Sequence, residues 1–185
     1  MEFHSHFIAF SAPSGAGKTT IVRRLAEKYP QMVVSVSATT RPPRPTEEDG
    51  RDYYFLSKED FLKAVEENRF LEFEQVHGYY YGTLLETVDA LYRQGRVVLF
   101  DIDVKGARSV KKHYPEALLI FIKPPDKQEL IKRLMNRRSE TKETIEKRLQ
   151  RLDFEYQLAE RFDYIVINDE LDEALKRIEK LIIKE

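Results

Sequence analysis

Cysteine is absent from the 185 residues. That excludes disulfides, cysteine-ligated zinc and thiolate catalysis, and it fits a reducing cytosol. Net charge is nearly absent too. Lys and Arg number 31 against 32 Asp and Glu, so no global field draws the chain to nucleic acid or to an anionic membrane. Any anion site must be local. No apolar run approaches the roughly 18 residues of a membrane span, and residues 1–6 lack the basic-then-apolar pattern of a targeting segment. The expectation is a soluble, cytoplasmic protein. His4, His6, His77 and His113 lack ligand spacing, which leaves them without a metal-binding role. Internal repeats and low-complexity tracts are missing as well.

What is present suffices for one sizeable core: 42% of residues are hydrophobic and 11% aromatic, and the length suits one domain with inserted lobes. Residues 7–10 form a short apolar run, residues 11–17 are turn-rich, and Ile21, Val22 and Leu25 fall at helical spacing. That order reads as strand, glycine loop, helix. A second strand is expected at 32–36, after which three prolines within 39–46 forbid a regular helix. Residues 53–56 come next, then a helix that Ser57 caps with Asp60 at its N3 position, a strand over 70–76, the aromatic run 79–81 ending at Gly82, and a helix near 84–94. Residues 97–102 and 117–122 are near-continuous apolar runs separated by a helix over 105–113. Strands this apolar are covered on both faces, as in a parallel sheet. Helices to about 138 and over 144–161, a strand at 164–167 and a final helix at 171–183 complete the alternation of a doubly wound α/β domain.

The glycine loop runs Ala12, Pro13, Ser14, Gly15, Ala16, Gly17, Lys18, Thr19 and matches GxxxxGK[ST] at every defined position but the first, where alanine replaces glycine. Small residues let the backbone curl, so that successive N–H groups and the following helix N-terminus converge on phosphate oxygens. Lys18 can then neutralise β and γ oxygens, and the Thr19 hydroxyl can ligate magnesium. Alanine at the first position is forbidden only if that position needs positive φ. The motif alone specifies a nucleoside triphosphate and nothing narrower.

Asp101 ends an apolar strand, where such folds place the acid that organises magnesium. Asp103 follows two residues on and would share its face if the strand continues; the other reading is that it caps the next helix. In the insert, Arg41 and Arg44 flank Pro42 and Pro43, and a proline-stiffened segment holds two guanidiniums for a second phosphate. The same string, with Pro45, also suits a polyproline ligand or a solvated loop. Tyr53, Tyr54, Tyr79, Tyr80 and Tyr81 are dense, and tyrosines of this kind are commonly packing residues with a surface hydroxyl. Their company is Glu72 in an apolar strand and Gly82 before Thr83. One carboxylate accepting from guanine N1–H and N2–H2, with Ser37 and Thr83 hydroxyls near O6 or the amino group, would read guanine and reject adenine.

At this point the chain resembles guanylate kinase over nearly its whole length. The resemblance is carried by APSGAGKTT at 12–20, SVSATTRPPRPTEEDGRDYYF at 35–55, FLEFEQVHGYYYGT at 70–83, VLFDIDVKGARSV at 98–110, IFIKPPDKQEL at 120–130, RRSETKETIEKRL at 137–149 and YIVIND at 164–169. It implies a P-loop NTPase core, a parallel sheet flanked by helices, over 1–36, 95–126 and 162–185. A mixed α+β GMP-binding lobe would span 37–94 and a helical lid 127–161. It implies ATP binding by residues 12–19, Thr20 and, near the base, Asn168. Ser37, Glu72, Thr83 and Asp103 would contact guanine beside Gly82, and Arg41, Arg44, Tyr53 and Tyr81 would hold the GMP phosphate. Lys18, Arg41, Arg137 and Arg148 would act on the transferring phosphates, and Thr19 and Asp101, the latter through water, would hold Mg2+. Two positions depart from the family pattern: Ala12 stands where Gly is usual, and Tyr79 where Asn is common. The implied activity is transfer of the ATP γ-phosphoryl group to GMP and dGMP, with ATP and GMP as small-molecule partners and neither nucleic acid nor membrane. Monomer and homodimer both stay open, as do a silent scaffold that binds proteins and a kinase for another phosphorylated acceptor.

Overall fold

Phe7–Ser11 forms β1 and Lys18–Lys28 forms α1, joined by the glycine loop; Met32–Val34 forms β2. The computed structural model describes residues 1–135 and 142–184, without the side chains of 133, 134, 142–149 and 151. The insert supplies β3 (Ala38–Thr39), β4 (Tyr54–Phe55), α2 (Lys58–Glu66), β5 (Phe70–Val76), β6 (Tyr79–Leu84) and α3 (Leu85–Arg93). Then follow β7 (Val97–Asp101), α4 (Val104–His113), β8 (Leu118–Lys123), α5 (Lys127–Met135), α6 (Lys142–Ala159), β9 (Tyr164–Ile167) and α7 (Leu171–Ile182).

Five strands form one sheet in the order β2-β7-β1-β8-β9, and every pairing in it is parallel. The apolar runs are fully buried because both faces are covered. Ile8, Phe10, Leu99, Ile120 and Ile122 pack with Ile21, Val22 and Leu25 of α1 and with Ala174, Ile178 and Ile182 of α7. The alternate residues Phe7, Ala9, Val98, Phe100, Leu119 and Phe121 pack with Val88 of α3 and Val104, Ala107 and Val110 of α4. Period two thus feeds two cores, and each fully buried Phe, Leu or Ile among them contributes on the order of 2 kcal/mol. The chain winds out through β2 and β7 on one side of β1, then continues with β8 and β9 on the other. The carboxyl end of β1 is where that order reverses, the place at which doubly wound sheets open a ligand crevice.

The insert builds a second sheet in the order β4-β3-β6-β5. Its α2 packs Phe61 onto Phe70 and Tyr80, with ring centroids 4.3 and 5.4 Å apart. Ser57 caps α2 as expected, accepting from the Asp60 N–H at 3.0 Å. His77 and Gly78, with φ of 50° and 86°, make the tight turn between β5 and β6. Leu71 of β5 belongs to the α4 side of the main core, and so fastens this sheet to it.

Several elements differ from the expectation, among them β2, which ends at Val34 and not at 36. β3 begins the segment where the prolines rule out a helix and no strand is expected; at two residues it is too short for periodicity to register. β6 continues to Leu84 instead of ending at Gly82. β7 stops at Asp101, one residue early, because Asp103 caps α4 by accepting from the Gly106 N–H at 2.7 Å.

Candidate active site

The glycine loop and α1 floor a cavity of about 440 Å³, lined by Ala12, Pro13, Ser14, Gly15, Gly17, Lys18, Thr19 and Thr20 and by Asp101 and Asp103 across from them. Gly15 and Gly17 both take φ of 90°, the left-handed conformation that L side chains resist; this explains the glycine the motif defines at 17 and favours glycine at the variable position 15 as well. No acidic residue lies in the first turn of α1, so the positive end of the helix is left to attract an anion. Lys18 Nζ contacts Asp101 Oδ1 at 2.9 Å and donates to the Ile102 carbonyl at 2.7 Å. Ala12, the irregular position of the motif, is not among the residues with positive φ, and its methyl packs on the main core. Alanine is therefore unstrained. Ala12→Gly is expected to leave the Michaelis constants near wild type and to cost about 0.4–1 kcal/mol of stability, read by urea unfolding.

A second cavity, of about 380 Å³, opens beside the first and is lined by Ser37, Tyr53, Glu72, Tyr81, Gly82 and Ile102, with Lys18, Asp101 and Asp103 at the junction. Glu74 and Val76 of β5 line both cavities. Glu72 and Thr83 are directly opposite in the β5–β6 ladder, just past a register shift between Phe70 and Glu72. A bulge of this kind re-aims a side chain, and here the Thr83 hydroxyl donates to Glu72 Oε1 at 2.7 Å. Burial pushes the Glu72 carboxyl above its ordinary range, opposed by the Thr83 hydrogen bond and assisted by the charge of Asp103. Because β7 ends at Asp101, the continued-strand reading of Asp103 fails and the helix-cap reading holds, yet Asp103 lines both cavities all the same. Gly82 has a steric reason to be glycine. A Cβ there would lie 2.7 Å from the Glu72 carbonyl and 2.8 Å from both Phe70 and Phe73. Gly82→Ala is expected to destabilise by about 1–3 kcal/mol, seen as a lower urea midpoint.

The Arg41 guanidinium lies over Tyr53, a residue of this cavity's lining, 5.4 Å from the ring centroid. Nη2 donates to both carboxylate oxygens of Glu47 at 2.8 and 3.0 Å, and Nη1 donates to the Pro42 carbonyl. Glu47 also accepts from the Arg44 backbone N–H at 2.8 Å, and Arg41 together with that N–H holds its carboxyl below the usual range. The Arg44 side chain is exposed. Glu47 was missed in the sequence; its only signal is an acid three residues after the second arginine, in a loop whose closure onto Arg41 no periodicity reveals. Thr83 is buried behind Glu72 at 1% exposure. Asn168 is buried beneath the glycine loop, its side-chain amide donating to the Ala16 carbonyl at 2.8 Å. Arg137 lies outside the described residues, and so does the side chain of Arg148, whose backbone is within α6.

A groove of about 520 Å³ between α1 and α7 is larger, but Arg24, Glu27, Lys28, Asp172, Lys176 and Glu179 line it with charges of both signs. It offers no convergent site. Among the described residues no group of three or more His, Asp or Glu forms a metal cage, and no helix is long and apolar enough to cross a membrane.

Comparison with known proteins agrees in sequence and in fold. A model of the guanylate kinase family matches residues 4–185. Guanylate kinase of Chlorobium luteolum is 47% identical over 172 residues, which cover 92% of this chain and 87% of that protein. The Thermotoga maritima guanylate kinase is 43% identical, with 94% and 84% covered. The crystal structure of guanylate kinase from Anaplasma phagocytophilum superimposes with a TM-score of 0.71 at 31% identity, covering 95% of this chain and 82% of that one. A shikimate kinase from Bacteroides thetaiotaomicron, at 16% identity and a TM-score of 0.53, shares the fold.

Proposed function

The chain belongs to the guanylate kinase family, and from that premise we propose that it transfers the γ-phosphoryl group of ATP to GMP, releasing ADP and GDP, and accepts dGMP in the same site. The observation that carries this is the meeting of two cavities at Lys18, Asp101 and Asp103, one floored by the glycine loop and the other walled by the Glu72–Thr83 pair.

A GMP phosphate oxygen attacks the γ-phosphorus; the bond from that phosphorus to the β-bridging oxygen breaks, and ADP leaves with the electron pair. No general base is needed, since the attacking oxygen is already anionic at neutral pH. Catalysis is then alignment of two phosphates that repel each other, and cation charge placed on the migrating group. Lys18 would exchange Asp101 for the β and γ oxygens. Arg41, already fixed beside Tyr53, would hold the GMP phosphate with Arg44 and Tyr81, while Glu72, oriented by the Thr83 hydroxyl behind it, reads the guanine edge with Ser37 and Asp103. Arg137 and Arg148 are assigned to the transferring phosphates, with 127–161 as the lid and 37–94 as the GMP lobe closing over the 1–36, 95–126 and 162–185 core. Closure excludes water that would otherwise hydrolyse ATP.

Mg2+ fits the oxygen donors at hand. Thr19 and Asp101 line the same cavity, and one hydroxyl and one carboxylate, completed by water and substrate phosphate, suit a hard octahedral ion. Bound there, it would neutralise charge on the β and γ oxygens. The activity is tested by coupled ADP release over GMP, dGMP, AMP, UMP and ribose phosphates. GMP and dGMP should turn over, with AMP at least about a thousandfold poorer in kcat/KM. A ribose phosphate preferred over GMP would overturn the assignment.

A further inference from the structure

We infer that Asn168 is a positioning residue for the phosphate loop: its side-chain amide holds the Ala16 carbonyl away from the phosphate cavity and thereby aims the Gly17 N–H into it. This rests on the loop's being a phosphate site, as proposed above. In a trans peptide the carbonyl and the following N–H point in opposite directions, and the described chain contains no cis peptide. The orientation of the Ala16–Gly17 peptide therefore decides whether the cavity meets a donor or an oxygen that repels phosphate.

Several contacts fix that choice. Ala16 is fully buried and is missing from the cavity lining, whereas Gly17 is part of it. The Ala16 N–H is taken by the Pro13 carbonyl at 3.1 Å, and its carbonyl accepts from Asn168 Nδ2 at 2.8 Å. Only the amide nitrogen can donate to a carbonyl, so this contact also sets which way the amide faces. A Cβ on Gly17 would lie 2.5 Å from Nδ2, so the brace and the glycine requirement are one constraint seen from two sides.

Asn168 is itself anchored. Its own N–H donates to the Lys123 carbonyl at the end of β8 at 2.8 Å. Next to it, Arg177 of α7 donates to the Ile167 carbonyl at 2.9 Å and to both oxygens of Asp169 at 3.0 and 3.3 Å. The Arg177 guanidinium, helped by the Glu170 N–H, pushes the Asp169 carboxyl down to about 2. The carboxylate is therefore ionised at neutral pH. A chain of contacts from α7 through the β9 terminus thus reaches the peptide that faces the phosphates.

The test is calorimetric titration of Asn168→Ala and Asn168→Asp, with magnesium present, using inorganic tripolyphosphate, ATP and GMP in turn. The Asp variant is isosteric but sets an oxygen against the Ala16 carbonyl; the Ala variant removes the donor and leaves a small void, so folding does not hang on one substitution. Both should bind tripolyphosphate about tenfold or more weakly, and ATP by the same factor, while GMP binding stays at the wild-type value and certifies the fold. If tripolyphosphate binds as to wild type and ATP alone is weakened, Asn168 reads the base and the brace is wrong. Unchanged binding of both would overturn it equally. A wild-type enzyme inactive toward GMP would sink the assigned reaction but leave the tripolyphosphate comparison standing.

Discussion

Lys18→Ala is expected to lower kcat for transfer to GMP by about a thousandfold or more, since removing one preorganised charge from a phosphoryl-transfer site is worth that much or more. The fold should survive. Lys18 pairs with Asp101 at side-chain exposures of 20% and 22%, and removing one partner of such a part-buried contact costs about 1–3 kcal/mol, less than the roughly 5–15 kcal/mol that holds a domain folded. The measurement is a kcat determination beside urea unfolding. Undiminished turnover would refute a phosphate role for the loop, whereas a lost unfolding transition would make Lys18 a structural residue.

Glu72→Gln is expected to lower kcat/KM for GMP by about a hundredfold or more, because the amide cannot accept from both guanine nitrogens and sets its own donor against them. The KM for ATP should barely move, and discrimination against AMP should shrink. Equal changes in both Michaelis constants would count against Glu72 as the guanine reader. The raised carboxyl adds a pH signature. GMP needs the ionised form, so its affinity in the wild type should fall as pH drops through the raised value, above the ordinary 4.5, with ATP binding unaffected by this group. Stability runs the other way. A carboxyl whose folded pKa is raised leaves the fold unpenalised below the unfolded value, and the penalty is complete once pH exceeds the folded value. At neutral pH Glu72→Gln should therefore melt higher than wild type while working worse.

The parallel sheet was legible because its central strands β1, β7 and β8 are buried on both faces and so read as apolar runs, and Ser57 was legible because capping is a contact three residues long. The glycine loop is local chemistry and could be read directly. Glu72 and Thr83, eleven positions apart, could be named as partners but not placed; only the hairpin register sets them opposite each other. The Arg41–Glu47 pair depends on how a proline-bearing loop folds back, and β3 on neighbours distant in sequence. Asn168 was assigned to the base through the resemblance, and its hold on Ala16 spans 152 positions, beyond any local pattern. Whether Ala12 suits the loop depends on its backbone conformation, which the sequence alone does not give and which lies outside positive φ.

Because Glu74 and Val76 of one strand form a wall common to both cavities, the two substrates are not strangers to each other. Whatever free energy one ligand spends in settling that strand is spared the next, and thermodynamic reciprocity requires the factor to be equal in both directions. Titrating GMP with and without a non-hydrolysable ATP analogue, and the analogue with and without GMP, should close into a single square.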